Sequence, residues 1–570
     1  MLGTDFILKA LASEGLTHLF MVPGGLVDPF LPALGRQSAI QPIIAAQEGG
    51  AAYMADGYAR AGGRFGAALC IGGPGLTNTI TPTAAAQSDG SPLLILSGEV
   101  ETSLEGLGMF QDASSQTLDD VGLMRPITRY SSSVDSPMNL GHLLSHAILN
   151  LLSQPTGPVH LSIPKDSQLA EMTANHVPID PSVTRPGLLS LSAAEASLKR
   201  LLGRPGGAPV KVVLLAGAGA EHAAENLRAF AEAWRLPVAT TLRAKGIFPE
   251  DHPLSIGTFG YAGTHHARMA LLDSPPDLLM VLGSGLNERD SMQWSLKLAP
   301  SSAVVVNLSP STLGEQMPSG GVLGDVGAYL EWIMPQRERL APALGATAAA
   351  RAAWMEGIRA APRLQDPENR ESPAVPIHPA RVVAELRRAL PRDGVLLVDS
   401  GAHRAFAGHY WEAYAPKTYI SATNLGPMGW AIPAAVGVQC AQPSKRIAVL
   451  TGDGCMRMHG IEVATAARYH LPITYVVVNN AALANVWLRA HQQGPVPAAL
   501  TSLPDLDWAG FAKALGCQGI TVTDPGELLE AFAKGLSADG PTVIDVKADK
   551  AYPTPVADWS AACAAWSYHE

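Results

Sequence analysis

The sequence predicts an α/β protein of three doubly wound parallel-sheet domains, and three observations carry that prediction. At 570 residues the chain is too long for one core, since single cores seldom grow past roughly 250–300 residues. Short uncharged apolar runs, each the length of a buried strand, alternate nearly throughout with amphipathic stretches and Gly- or Pro-rich turns. Hydrophobic residues make up 47% of the chain and charged residues only 16%, which is enough apolar material for sheets buried on both faces.

Taken in order, a first block spans residues 1–180, with apolar runs at 19–22, 40–46, 65–71, 92–97 and 158–163. Pro178, Pro181 and Pro186 then break the pattern and mark a linker. A second block, 190–335, opens on the strand-like Val210 to Leu215 and a Gly217-Ala218-Gly219 turn. That turn starts like a dinucleotide fingerprint but lacks its third glycine. Alanine- and proline-rich sequence over 336–376 predicts a connecting arm, partly helical. The third block is 377–549, and the tail 550–570, with Tyr552, Trp559, Trp566 and Tyr568, is expected to fold over a surface. Blocks one and three could share a topology.

Composition excludes several classes of function. A net charge of −10 without a basic block argues against nucleic acid or an anionic membrane as the main partner. No apolar run reaches the length of a membrane span, and the first residues lack the features of a signal peptide. Cys70, Cys440, Cys455, Cys517 and Cys563 lie far apart without a CxxC, which predicts reduced thiols in a cytoplasmic protein.

The richest segment is 446–480, RIAVLTGDGCMRMHGIEVATAARYHLPITYVVVNN. Runs 447–450 and 473–478 read as buried strands and 459–470 has helical spacing, so the whole is a βαβ unit. Both strands of such a unit end on one sheet edge, which puts Asp453 and Asn480 side by side where open α/β sheets bind ligands. A carboxylate and an amide oxygen suit Mg2+, which leaves much of its shell to water and phosphate. Gly452 and Gly454 let backbone N–H groups approach that phosphate. Cys455 reads as a small residue packed under it.

Gly-Asp-Gly followed by Asn-Asn, with Asn480 27 positions after Asp453, resembles the signature of thiamine diphosphate (ThDP) enzymes. The resemblance implies that Asp453, the Asn480 side chain and the Ala482 carbonyl hold the metal. Gln47-Glu48-Gly49-Gly50, followed by Ala55-Asp56-Gly57-Tyr58-Ala59-Arg60, is similar to the first-domain helix in which a glutamate activates the cofactor's aminopyrimidine; that residue is Glu48. Gln47 stands where acetolactate synthases usually have His. Asn424 to Pro433 resembles the GxMG segment, implying Met428 as the support beneath a bent cofactor and Gly426 as acceptor for its amino group. Asp399-Ser400-Gly401-Ala402-His403 resembles a DxGxH strand end that sends His403 to the diphosphate. Val22-Pro23-Gly24-Gly25 and Gly73 to Asn78 resemble loops at the pyrimidine end and the substrate pocket, with Pro23, Gly24 and Asn78 against the cofactor.

For the substrate, the family commonly uses a glutamine of the first domain, and two candidates arise. Gln111 matches on the N-terminal side, whereas Gln116 has the family's spacing to Val121, Arg125 and Pro126 and is slightly favoured. After Asn480 the pattern departs from acetolactate synthases: Asn485 replaces a Met, Trp487 takes the usual Arg position and Arg489 the usual Trp position. Asn485 can hydrogen-bond a substrate or cap a helix turn. In the middle block, 257–263 and 283–290 correspond to stretches that bind FAD in some members but lack the leading Arg; an empty Rossmann-like domain is the default and FAD the alternative. The resemblance thus implies a pyrimidine-binding, a middle and a pyrophosphate-binding domain. It implies a homodimer or homotetramer with active sites between subunits. The implied reaction adds the cofactor C2 carbanion to a 2-oxo acid, releases CO2 and ligates the enamine to a second carbonyl, as in acetolactate synthase. A 2-oxo acid decarboxylase or 2-hydroxyketone lyase is the alternative, and a ThDP/FAD oxidoreductase of the pyruvate oxidase type is the alternative of another class.

Overall fold

The computed structural model describes residues 1–556 except 174, 185–186, 203–206, 297, 300–301 and 317–320. Trp559, Cys563, Trp566 and Tyr568 of the expected aromatic tail lie outside the described residues. Tyr552 lies within them and packs its ring on His378, with centroids 4.0 Å apart. No described helix is long and apolar enough to cross a membrane, and the four described cysteines are free.

Three six-stranded sheets organise the chain. The first holds β1 (His18–Met21), β2 (Gln41–Ile44), β3 (Gly66–Ile71), β4 (Leu93–Glu99), β5 (Tyr130–Ser133) and β6 (Val159–Pro164) in the order β2-β1-β3-β4-β6-β5, all parallel. Every residue of β4 and β6 is buried, as strands covered on both faces must be. β5, Tyr-Ser-Ser-Ser, sits at the edge and is half-buried throughout; its polarity kept it out of the apolar-run reading.

The middle sheet holds β7 (Val212–Ala216), β8 (Val238–Thr241), β9 (Ser255–Phe259), β10 (Leu278–Leu282), β11 (Ala303–Asn307) and β12 (Gly321–Leu323), ordered β12-β11-β10-β7-β8-β9. Read in chain order this is the 3-2-1-4-5-6 arrangement of dinucleotide-binding folds. The third sheet holds β13 (Val395–Val398), β14 (Tyr419–Ile420), β15 (Ile447–Gly452), β16 (Ile473–Asn479), β17 (Gln518–Val522) and β18 (Thr542–Lys547), ordered β14-β13-β15-β16-β18-β17. Strand for strand, that repeats the order of the first sheet.

The chain forms two compact units. One joins the first and third sheets, over 1–185, 394–401 and 420–550; the other holds the middle sheet, over 186–393, 402–419 and 551–570. Sequence reading had placed 402–419 with the third block. The reason lies in its bonds: His409, on the helix Ala402–Tyr410, hydrogen-bonds the Gly263 carbonyl at 2.9 Å through Nδ1 and accepts from Gln365 N at 2.9 Å through Nε2. Glu250, paired with the buried Lys245 at 2.7 Å, accepts from Ala413 N at 2.7 Å.

The first unit has one continuous core across both its sheets. At its centre the helix Glu48–Ala61 crosses the helix Ala431–Ala441 at backbone contact. A Cβ on Gly57 would lie 2.2 Å from the Ala434 oxygen, and one on Gly437 1.8 Å from the Met54 oxygen, so only glycine permits this approach. Asp56, fully buried, accepts from Trp430 Nε1 at 2.8 Å and from Arg60 at 2.9 Å, and Arg60 also pairs with Asp89 at 2.8 Å.

A candidate active site at the strand ends of the first unit

In the order β2-β1-β3 the chain direction of the crossovers reverses between β1 and β3, and in β14-β13-β15 between β13 and β15; ligands bind outside the carboxyl ends of strands at such points. The residues singled out from the sequence lie on the loops leaving these four strands and on those leaving β2, β4, β14 and β16.

β15 and β16 run in register with Gly452 opposite Val478, so Asp453 and Asn480 leave adjacent strand ends. Asp453 begins the helix Asp453–His459 and is 3% exposed. The expected helix over 459–470 is in fact divided: after His459 a single 3-10 turn, Gly460–Glu462, leads into Val463–Arg468. Asp453 Oδ2 accepts from Ala482 N at 3.1 Å. Burial pushes its carboxyl up to about 6, against hydrogen bonds from Gly454, Ala482 and its own N–H. Ala481, with φ 51°, makes the left-handed turn that brings Ala482 back to Asp453.

The two asparagines differ sharply. Asn479 Nδ2 donates to Asp505 Oδ1 at 3.0 Å, the Leu506 carbonyl at 3.1 Å and Asp545 Oδ1 at 3.0 Å. Asn480 Oδ1 is buried and has no hydrogen-bond partner. A buried amide oxygen left open beside a carboxylate is what a hard cation would complete, because proteins rarely leave such an atom unsatisfied. Among the described residues no group of three or more His, Cys, Asp or Glu could hold a metal, so a cation here would rely on amide and carbonyl oxygens as well.

Met428 reaches the same turn. A Cβ on Gly454 would lie 3.0 Å from Met428 Cε. Met428 is framed by left-handed glycines, Gly426 at φ 65° and Gly429 at φ 83°. Asp399, just past β13, accepts from Gly429 N at 2.9 Å and Thr451 Oγ1 at 3.0 Å, fixing the Met428 turn against β15. Cys455 Sγ donates to the Ser400 carbonyl at 3.2 Å, and burial holds its thiol well above the usual range, which suits packing and not nucleophilic attack. His403 is buried in the first turn of the helix Ala402–Tyr410, within the other unit.

On the first sheet, Glu48 follows β2 and opens its helix. Its Oε2 accepts from Asn78 Nδ2 at 2.9 Å, which joins it to the Gly73–Asn78 turn after β3. Gln47 is the helix N-cap, its Oε1 accepting from Gly50 N at 3.1 Å. The loop after β1 lies on the end of β3, where a Cβ on Gly24 would be 2.7 Å from Ile71 Cγ2. Glu462, which sequence reading passed over, accepts from Ala46 N and Gln47 N, both at 3.1 Å. It therefore anchors the two residues that precede Glu48.

The two glutamines separate. Gln111 is half-buried with φ 64°, and its carbonyl would lie 3.8 Å from a Cβ on Gly73. Gln116 is exposed, and its Cβ abuts Gly106. Asn485 is half-buried in the first turn of the helix Ala484–Gln493; Trp487 stacks on His491 at 4.3 Å and Arg489 is exposed.

Comparison with known proteins agrees with this geometry. The model of the N-terminal TPP binding domain of thiamine pyrophosphate enzymes matches residues 1–121, that of their central domain 208–333, and that of their C-terminal TPP binding domain 399–546. The chain belongs to the thiamine pyrophosphate enzymes. Within that family it is 31% identical to the acetolactate synthase large subunit of Parasynechococcus marenigrum, over 97% of this chain and 88% of the relative. It is 29% identical to a probable acetolactate synthase large subunit of Methanocaldococcus jannaschii (98% and 93%) and 30% identical to the acetolactate synthase isozyme 3 large subunit of Escherichia coli (94% and 92%). It is therefore a thiamine diphosphate-dependent enzyme of the acetolactate synthase-like group, with a carboligase or transferase chemistry.

Proposed function

We propose that the protein is a ThDP- and Mg2+-dependent carboligase that decarboxylates a 2-oxo acid and joins the remaining acyl fragment to a second carbonyl compound. The open, buried Asn480 oxygen beside Asp453 carries the reading, because it fits the metal that such a cofactor needs. Asp453, Asn480 and the Ala482 carbonyl would hold Mg2+. Gly452, Gly454 and Cys455 would line the diphosphate, and Pro23, Gly24, Asn78, Gly426 and Met428 the rings. When bound, the cofactor supplies an electron sink for the carbon that loses CO2.

The chain's own part is binding, orientation and proton placement. Glu48 would hold a proton against the pyrimidine ring, oriented by Asn78 and by the Glu462 anchor beneath its helix. Met428 would support the ring from the Gly426–Gly429 turn. Of the two glutamines, Gln111 lies beside the Gly73 turn and is the better placed to meet substrate; Asn485 would face it from the other sheet. Glu48 of one chain would complete the clamp of another, in a homodimer or homotetramer. The exposed Leu107, Met109 and Phe110, the last 82% exposed, support a covered surface there.

The changed residues after Asn480 favour keeping a second reading, a 2-oxo acid decarboxylase or 2-hydroxyketone lyase. A flavin-dependent oxidase is disfavoured because the stretches 257–263 and 283–290 lack the Arg that leads them in flavin-binding members. Free, separated cysteines support a cytoplasmic setting. A panel of 2-oxo acids and aldehydes with ThDP and Mg2+, with products read by mass spectrometry, tests the proposal. A 2-hydroxy ketone or acetohydroxy acid is expected from a colourless protein. Aldehyde and CO2 alone would select the second reading, and a yellow protein needing an electron acceptor would overturn the flavin-free one.

A further inference from the structure

Two buried carboxylates behind the Gly73 turn have no part in the reaction described above. Glu99 ends β4 and Asp120 begins the helix Asp120–Met124; each is 1% exposed. Glu99 Oε1 accepts from Val100 N at 2.8 Å and Ala113 N at 3.2 Å. Asp120 Oδ2 accepts from Gly73 N at 3.1 Å. One carboxylate thus grips the loop two residues beyond Gln111, and the other grips the turn that leads to Asn78. Between them stands Gly72, where a Cβ would lie 3.1 Å from Asp120 Oδ2 and 3.2 Å from Glu99 Oε2. Both carboxyl groups therefore flank the place of the glycine's missing side chain. Among the described residues, Glu99 Oε2 and Asp120 Oδ1 are both buried and have no hydrogen-bond partner.

Two anions so placed in an apolar setting would repel, and no counter-charge among the described residues bears on them. The charged groups bearing on Glu99 are Asp112 and Glu105 of the intervening loop, and those on Asp120 are Glu99 and Asp119. From β3, Cys70 faces both Glu48 and Asp120 and stays a neutral thiol. From β6, His160 is held neutral by burial between Ser97 and Ser131, its imidazole pushed down to about 3. Retention of one proton by the pair removes this repulsion.

We propose that Glu99 and Asp120 act as a coupled buried pair that retains one proton between them and positions the Gly72–Asn78 turn and the Gln111 loop against each other. They are positioning residues, and their link to substrate rests on the reading of those loops given above. Burial pushes both carboxyls up, that of Asp120 to about 7, in keeping with one proton retained near neutrality. The folded protein then holds a proton that the unfolded chain releases, so stability falls as pH rises towards that value.

The test uses the full chain, with thermal unfolding measured without cofactor from acid to alkaline pH for wild type, Glu99→Gln, Asp120→Asn and Glu99→Ala. Wild type should lose stability as pH rises through neutrality. Glu99→Gln and Asp120→Asn each replace an ionisable carboxyl by a permanently neutral amide, so that part of the slope should vanish. With a substrate found in the panel above, Glu99→Gln should keep most of the wild-type kcat/KM and lose its alkaline decline. Glu99→Ala should lower kcat/KM about tenfold or more through misplaced loops. An unchanged slope in both amide variants would overturn the proposal. So would a wild-type slope abolished by K+ or Mg2+ alone, which would make the pair a cation site. If the slope behaves as stated but no 2-oxo acid is consumed, the functional reading fails while the pair stands.

Discussion

Adjacent Asn479 and Asn480 should separate fold from cofactor binding when each is changed to alanine. Asn479 is 2% exposed and its amide serves three acceptors, two of them carboxylates and one of those, Asp545, fully buried. Hydrogen bonds to charged groups contribute about 1.5–3 kcal/mol each, and an amide has two N–H donors to share among the three, so Asn479→Ala should cost about 3 kcal/mol. Asn480 Oδ1 has no partner among the described residues, so Asn480→Ala should change stability by no more than about 0.5 kcal/mol. It should, however, weaken Mg2+-dependent ThDP binding at least about tenfold, the lower end of what loss of even an outer-shell partner costs a metal site. Urea unfolding without cofactor reads the first quantity as a shifted midpoint at unchanged slope. Mg2+ titration in the presence of ThDP, followed by calorimetry, reads the second. Equal destabilisation by the two variants, or Mg2+ binding untouched in Asn480→Ala, would refute the assignment.

Asp56→Ala should destabilise by about 3–5 kcal/mol, because it strips a buried arginine of one partner and orphans the Trp430 indole; a change under about 1 kcal/mol in urea unfolding would count against that. Gly437→Ala places a methyl 1.8 Å from the Met54 oxygen, so the two helices must part; a thermal midpoint equal to wild type would show the crossing to be looser than described. Glu462→Ala frees two backbone N–H groups before Glu48 and should cost about 2 kcal/mol. Burial raises the Glu462 carboxyl despite bonds from Thr465, Ala46 and Gln47. Its folded-state proton is therefore held more tightly than in the unfolded chain, and stability from this group declines as pH rises through the raised value. Glu462→Gln should lack that decline in pH-dependent unfolding.

How much of this was legible depended on whether a residue's partners were close in sequence or repeated a period. Buried runs such as 447–450 and 473–478 announced strands now seen as Ile447–Gly452 and Ile473–Asn479, since full burial leaves a sequence no polar choice. Asp453 and Asn480 were readable because one βαβ unit fixes their strand ends. The β5 run Tyr-Ser-Ser-Ser was not, for an edge strand need not be apolar. Nor was Glu462, whose partners Ala46 and Gln47 lie 416 and 415 residues away; in sequence it is one more charge on an amphipathic stretch. Between the glutamines 111 and 116 the sequence favoured Gln116 only slightly, because an insertion blurs the register; the structure puts Gln111 beside the Gly73 turn and leaves Gln116 exposed. The long helix expected over 459–470 breaks at Gly460, where a 3-10 turn aims Glu462 at the start of the Glu48 helix.

The repeated strand order of the first and third sheets explains why cofactor and substrate differ so much in legibility. Each copy offers the same crevice at its switch point, but the side chains put there have diverged. In the function proposed above, the third sheet would supply Asp453 and Asn480 for a metal-held diphosphate, and the first would supply Pro- and Gly-rich loops and Glu48. Those residues sit on strand ends or first helical turns, locked by Asp399, Asn78 and Glu462, so changing one disturbs a network. Gln111 and Asn485 instead stand on the loop after β4 and the helix after Ala482, attached at few points and free to vary. A chain of this kind can exchange substrates without rebuilding its cofactor site, and the altered run after Asn480 lies where such an exchange would be made.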